Sequence, residues 1–398
     1  MVLPVAGALM AAQAGTLGVG FSGAGFLIPF FLGVIDVLQR QLGVLQPDMP
    51  MAGGSSGALV TMTVSGLVPL HAMKEEVYRL SDFCSKHGNC YGILQSEVAK
   101  AAERLLPPNA AERATAAGNT HVAVTFPDPL GKGPAAQALI SNFTSREDMI
   151  NSLKASVFIP FYAGPSLTVD FRGKGAYDGS FGGPGQGFLP CPPNTGYCIR
   201  ISSLPAGLAL ANTALEDVLF GEPGNVRRTL DVAKDIVTKS DLATTLSATL
   251  RSFTGRHEAG PANASAAAAA AAGGANGSPL RGQVQHMVDA LMRLLTPGEG
   301  AADIWPGRRH KLPVTDLFWS SWMISPPNPE QIETIYNLGK AEATSWAEEA
   351  GFLPPRQEAG WRAAAAAAPA APAAAGGAQK ARGGFFRLPW RMEQGRRL

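Results

Sequence analysis

No lysine, arginine, aspartate or glutamate occurs before Asp36, so the first 35 residues form the most apolar stretch of this 398-residue chain. A segment of that kind leaves water for lipid or for a protein core. Seven glycines interrupt it and no basic region precedes it, which argues against a membrane span and against a secretory leader. It divides instead into a strand over Thr16 to Ser22, a glycine turn Ser22-Gly23-Ala24-Gly25, and a helix over Phe26 to Gln41. Pro29 falls in the first turn of that helix, where proline does least harm. The expectation is a buried first strand and a buried first helix behind an apolar leader, residues 1–14.

From Leu17 to about Gly221, short apolar runs alternate with helical stretches, the sequence form of an α/β layered sheet. Residues His121 to Phe126 and Tyr197 to Ser202 read as further strands. Ser145-Arg146-Glu147-Asp148 reads as a capping-box start for a helix to about Ala155, followed by Val157 to Pro160. Two low-complexity stretches, Gly260 to Gly277 and Ala363 to Ala378, have little apolar bulk to bury and are expected to be disordered. They divide the chain into a core at 15–259, an alanine-rich insertion at 260–279, a helical continuation packing on the core at 280–353, and a tail at 354–398. The continuation carries Val284, Met287, Val288, Leu291, Met292 and Leu295 at helical spacing, then a second helix from about Pro329 to Ala350. From Lys380 the tail holds six Lys or Arg against one Glu, interleaved with Phe385, Phe386 and Trp390, a mixture suited to an anionic or packing-defective lipid surface.

The net charge of +2 gives no concentrated basic face, so nucleic acid is not the expected partner. Four cysteines, Cys84, Cys90, Cys191 and Cys198, are too few for a disulfide framework in so long a chain, and free thiols in a reducing, intracellular compartment are expected. Cys84, His87 and Cys90 match no familiar zinc spacing and lack a fourth ligand, so no metal is expected there. A Cys191–Cys198 link has no better support from the sequence.

Chemistry concentrates in Gly53-Gly54-Ser55-Ser56-Gly57. An apolar run from Asp48 to Ala52 leads in as a strand, and the apolar segment from Gly57 continues as a helix, so Ser55 falls at a helix N-terminus. A serine nucleophile needs a tight turn to expose its hydroxyl and backbone N–H groups to hold the oxyanion formed on attack. Unpaired N–H groups and the helix dipole favour negative charge at such a position. The plainer reading is a small-residue loop that lets a helix pack close to a sheet. Histidines are poor partners: His71, His87 and His121 precede any convincing acid, His257 and His286 border the alanine-rich insertion, and His310 lies in a basic cluster. Tyr177-Asp178-Gly179 follows a turn at Gly173-Lys174-Gly175 that lets an aspartate face a cleft, although the tripeptide also suits an ordinary Asx turn. An unperturbed aspartate has a pKa of about 3.9, so a base of this kind works through alignment and exclusion of water.

Taken in order, Gly20 to Leu27, Gly53 to Leu59, Phe143 to Ile150, Val157 to Tyr162 and Ala176 to Gly179 resemble the patatin-like phospholipase family. With Ile335 to Gly339, the likeness is greatest to its adiponutrin and adipose triglyceride lipase branch, and it covers roughly residues 15 to 352 apart from the alanine insertion. The resemblance implies an α/β/α sandwich with a central, mostly parallel sheet and a Ser-Asp dyad without histidine. Ser55 would be the nucleophile and Asp178 the base. N–H groups of Gly23, Ala24, Gly25 and Ser56 would bind the oxyanion, and Gly53 and Gly57 would frame the elbow. The implied substrates are glycerolipids (triacylglycerol, phospholipid or galactolipid) met at a lipid droplet or membrane surface, with no metal or organic cofactor. Two positions depart from the family pattern, Ile28 and Ser180, where glycines are usual, and a glycine-rich run through Gly187 replaces the usual continuation. The competing readings are a lipid-surface binding or scaffold protein with weak catalysis, and an acyl transferase, since an acyl-enzyme does not dictate its acceptor.

Overall fold

From Leu17 to Ile35 the uncharged N-terminal stretch is interior, as its composition requires, whereas Met10 before it is exposed. In the computed structural model the described residues are 6–128, 135–160, 162–182, 189–205 and 302–354, all within a unit spanning Met1–Pro355. The expected leader is in part a helix, α1 (Ala6–Gln13), whose Ala8 is fully buried. β1 (Leu17–Phe21) is buried along its length. A single 3₁₀ turn, Gly25–Leu27, then opens α2 (Ile28–Ile35), every residue of which is buried, and α2 runs on into a π-helical stretch, Asp36–Gln41. Phe31 packs edge-to-face on Phe21 at 5.4 Å, and Phe30 does the same on Trp319 at 6.3 Å, which ties the first βα unit to the C-terminal region.

β2 (Met51–Gly54) begins after Pro50, three residues later than the apolar run that starts at Asp48, because Met49 still closes a turn onto Gln46. It leads into α3 (Ser56–Val64), followed by α4 (Leu70–Lys86), α5 (Leu94–Leu105) and α6 (Ala110–Ala117). Next come β3 (Thr120–Phe126), β4 (Ala136–Ile140) and α7 (Arg146–Ser156), the last capped by Ser145, whose hydroxyl accepts from the Asp148 N–H. β5 (Val169–Phe171), β6 (Lys174–Asp178) and β7 (Tyr197–Ile201) complete a seven-stranded sheet. After the gap in the described residues, α8 (Asp316–Ser321) and α9 (Pro329–Glu349) follow. α9 starts in a full capping box between Asn328 and Gln331 with Pro329 in its first turn, at the start expected from the sequence.

The centre of the sheet, β7-β1-β2-β3, is parallel and buried, with helices packed around it, so the expected α/β architecture holds. β4, β5 and β6 pair antiparallel. α2 and α9 cross so closely that a Cβ on Gly33 would stand 2.0 Å from the Tyr336 carbonyl oxygen. Asp36, the first charge in the chain, pairs with Lys340 of α9 at 2.9 Å. Among the described residues, no helix is long and apolar enough to cross a membrane.

The cysteine expectation is overturned. Cys84 bonds Cys90, and Cys191 bonds Cys198, leaving no free thiol among the four. Local geometry made both pairs: the end of α4 and a 3₁₀ turn bring the first Cα atoms to 4.7 Å, and the loop entering β7 brings the second to 6.1 Å. The ground for expecting a reducing compartment therefore falls away. The alanine-rich insertion, the helical spacing from Val284 to Leu295, the glycine run 183–188 and the basic tail lie outside the described residues.

Candidate active site

Ser55 sits between β2 and α3 with φ 54° and ψ −129°, a left-handed backbone conformation that costs a non-glycine residue on the order of 1–3 kcal/mol. The turn closes because its flanks are glycine. A Cβ on Gly53 would lie 2.2 Å from the Gly57 carbonyl oxygen, and one on Gly57 would lie 2.4 Å from that of Ser22. The strained turn is pinned from α7, where the Ser156 hydroxyl oxygen accepts the Ser55 N–H at 3.0 Å.

Register brings Asp178 to this turn. β4 runs along β3 from Val122 to Phe126, so the other edge of β3 must take both β2, which reaches Ala123, and β6, which pairs Asp178 with Val124. Gly54 opposes Ala123 and Asp178 opposes Val124, so the C-terminal ends of β2 and β6 meet on adjacent positions of one strand. The approach is close: a Cβ on Gly54 would be 3.2 Å from the Gly179 carbonyl carbon. The hairpin β5-β6 is held to the start of α7 by a two-pronged Arg172–Asp148 pair, with contacts of 2.9 and 2.6 Å.

Asp178 is 1% exposed. Its N–H donates to the Phe158 carbonyl at 2.9 Å, its Oδ1 accepts the Ser180 N–H at 2.8 Å, and Ser55 stands near enough for its side chain to act on the carboxylate. Burial pushes the Asp178 carboxyl up to about 6, against the opposing pull of the Ser55 and Ser180 hydrogen bonds. A carboxylate with that affinity is ionised at neutral pH yet accepts a proton far more readily than an exposed aspartate.

The candidate oxyanion donors face the same turn. The Ser56 hydroxyl donates to the Gly25 carbonyl at 2.9 Å, and the Gly23 carbonyl accepts from Ser22 at 2.8 Å and from Ser203 at 3.0 Å. These bonds fix the carbonyls, while the N–H groups of Gly23, Ala24, Gly25 and Ser56 meet no acceptor among the described residues. Phe26 N–H is committed elsewhere, to the Met323 carbonyl at 3.1 Å.

Among the described residues, no histidine takes part in this cluster. His121 bonds the carbonyls of Met51 and Asn119, His87 that of Phe83, and His310 the Ser345 hydroxyl. Ser156 and the Phe158 carbonyl were not identifiable as site residues from the sequence; the only signal was their place in the segment 145–160. Ile28 turns out to face a cavity. A small apolar cavity of about 40 Å³ lies between α2, α3, α4, α5 and α7, with Ile28, Leu59, Met62 and Leu153 among its walls. Ser55 does not line it. Leu59 and Met62 lie four and seven residues beyond Ser55 in the chain, and Leu153 lies three before Ser156 on α7. These spacings place the walls on the helix faces that descend from the serine turn.

No family model matches the chain. Over 171 residues it is 29% identical to the human protein named patatin-like phospholipase domain-containing protein 4, a match covering 41% of this chain and 64% of that relative. The likeness supports the patatin-like family. The chain thus matches just under two thirds of the relative's length.

Proposed function

We propose that this protein is a serine-dependent lipid acyl hydrolase working through a Ser55–Asp178 dyad. Asp178 accepts the Ser55 hydroxyl proton as Oγ bonds the acyl carbonyl carbon, and the displaced electron pair on the carbonyl oxygen is held by the N–H groups at Gly23 to Gly25 and at Ser56. The proton passes from Asp178 to the leaving alkoxide as the ester C–O bond breaks. Water, deprotonated by Asp178, then attacks the acyl carbon; as the Oγ–acyl bond breaks, Asp178 returns the proton to Ser55 Oγ and the fatty acid is released. One observation carries the reading: a serine in a strained strand-to-helix turn beside a buried, hydrogen-bonded carboxylate.

Two further points favour lipid over a polar ester. The relative is named a phospholipase domain-containing protein, and a small cavity below the serine turn is walled mostly by aliphatic side chains, an apolar lining that favours a hydrocarbon over a polar group. The substrate class is glycerolipid, whether triacylglycerol, phospholipid or galactolipid, met at a lipid droplet or membrane surface. Within the family, Ile335 to Gly339 on α9 favours the adiponutrin and adipose triglyceride lipase branch.

Replacing Ser55 by alanine tests the reading. Fatty-acid release from mixed glycerolipid emulsions and labelling by a fluorophosphonate both disappear, with turnover falling by at least about a thousandfold. A Ser55→Ala protein that still hydrolyses, or still takes the label, refutes it.

A further inference from the structure

Ser180 carries a buried hydroxyl that makes no well-formed hydrogen bond among the described residues. The residue is 8% exposed, and its Oγ has no hydrogen-bond partner of good geometry, although a buried hydroxyl left unpaired is costly. Its position explains what the group is for. Asp178 ends β6, Gly179 follows with a Cβ position only 2.0 Å from the Ala123 carbonyl oxygen, and the Gln137 side chain donates to the Gly179 carbonyl. The short turn is therefore clamped against β3, and it folds Ser180 back over the Asp178 carboxylate, to which the Ser180 N–H already donates at 2.8 Å. The Ser180 hydroxyl stands beside the same carboxylate without meeting full hydrogen-bond geometry.

Asp178 has few donors: the Ser55 hydroxyl and Ser180, and among the described residues no charged side chain acts on it from β3, α3, α7 or its own turn. One of those donors is consumed by the chemistry. When Ser55 Oγ bonds the acyl carbon, its proton moves to Asp178 and on to the leaving alkoxide, so the carboxylate is restored as an anion while Ser55 has no proton left to donate. A buried anion is then short of one hydrogen bond.

We propose that Ser180 is a positioning residue whose hydroxyl replaces that of Ser55 as donor to the Asp178 carboxylate once Ser55 is acylated. This inference rests on the dyad reading above. A hydroxyl already beside the carboxylate, with no other partner among the described residues, is placed to take over that role, so the base keeps its orientation toward the water that ends the cycle.

The test is the pH dependence of hydrolysis of a soluble short-chain p-nitrophenyl ester by wild type, Ser180→Ala and Ser180→Thr. The acid limb of kcat/KM reports the free enzyme, where Ser55 still donates, and that of kcat reports the acylated one. With deacylation rate-limiting, shown by an initial burst of nitrophenol, Ser180→Ala raises the kcat limb by roughly half to one pH unit, because a donor to the ionised form has gone. The kcat/KM limb moves less, and Ser180→Thr, which keeps a hydroxyl, restores the wild-type kcat limb. Unmoved limbs, or limbs that move equally in Ser180→Ala, overturn the proposal. Should Ser180→Ala not fold, a Ser180→Thr kcat limb displaced from wild type overturns it as well, and an undisplaced one supports it. Loss of activity in Ser55→Ala, measured alongside, keeps failure of this inference distinct from failure of the dyad.

Discussion

Asp178→Asn will make this protein more stable at alkaline pH while removing its turnover. The carboxyl titrates at about 6 in the folded state against 3.8 for the unburied group, chiefly because burial disfavours its charge, and it is 1% exposed. A rise of about two units, at 1.36 kcal/mol each, is about 3 kcal/mol of folding free energy. The sign follows from proton binding. Below 3.8 both states hold the proton and nothing is lost. Between 3.8 and about 6 the unfolded chain gives up the proton that the native state keeps, so stability falls as pH rises; above that window the full cost stands. Asparagine keeps an oxygen for the Ser180 N–H and has no charge to bury. Urea unfolding followed by tryptophan fluorescence measures the difference. The variant's midpoint will match wild type near pH 4 and exceed it at pH 8 by an amount approaching about 3 kcal/mol, with ester turnover at pH 8 reduced by orders of magnitude. A variant no more stable than wild type at pH 8, or one whose advantage is the same at both pH values, refutes the assignment of an ionised, poorly solvated carboxylate at this position.

Two other perturbations bear on the serine turn and the cavity. Gly57→Ala forces a methyl group against backbone at Ser22, 2.4 Å away, so the turn must shift. Turnover of soluble esters falls by about a hundredfold, the melting temperature drops by several degrees, and wild-type kinetics in this variant exclude the close approach. Filling the cavity by Met62→Trp moves the preferred chain in a p-nitrophenyl ester series toward shorter acyl groups while hydrolysis of the acetate changes little; an unchanged chain-length profile rules out the cavity as the acyl site.

The α/β class, the buried first strand and helix, and the serine turn were legible because each is written in local pattern. The uncharged run to Asp36 and the two glycines flanking Ser55 are local features, for which burial of apolar residues and sterics leave little choice. Other features depended on partners distant in the chain. Cysteine spacing alone does not tell a free thiol from a bonded one, and both bridges depend on loop conformations that fix the Cα separation. Ile28 is packed in the core and also borders a cavity whose walls come from five helices, a placement that no local pattern encodes.

By itself, then, the sequence determined a layered fold and a serine that its glycines oblige to stand in a strained turn. Tertiary structure decided that Asp178 is the group this serine meets. β4 takes one edge of β3 and leaves β2 and β6 to share the other, end to end, across a separation of more than a hundred residues. It also decided the proton affinity of that carboxyl, because desolvation depends on everything packed around the group and the residue's own identity does not reveal it.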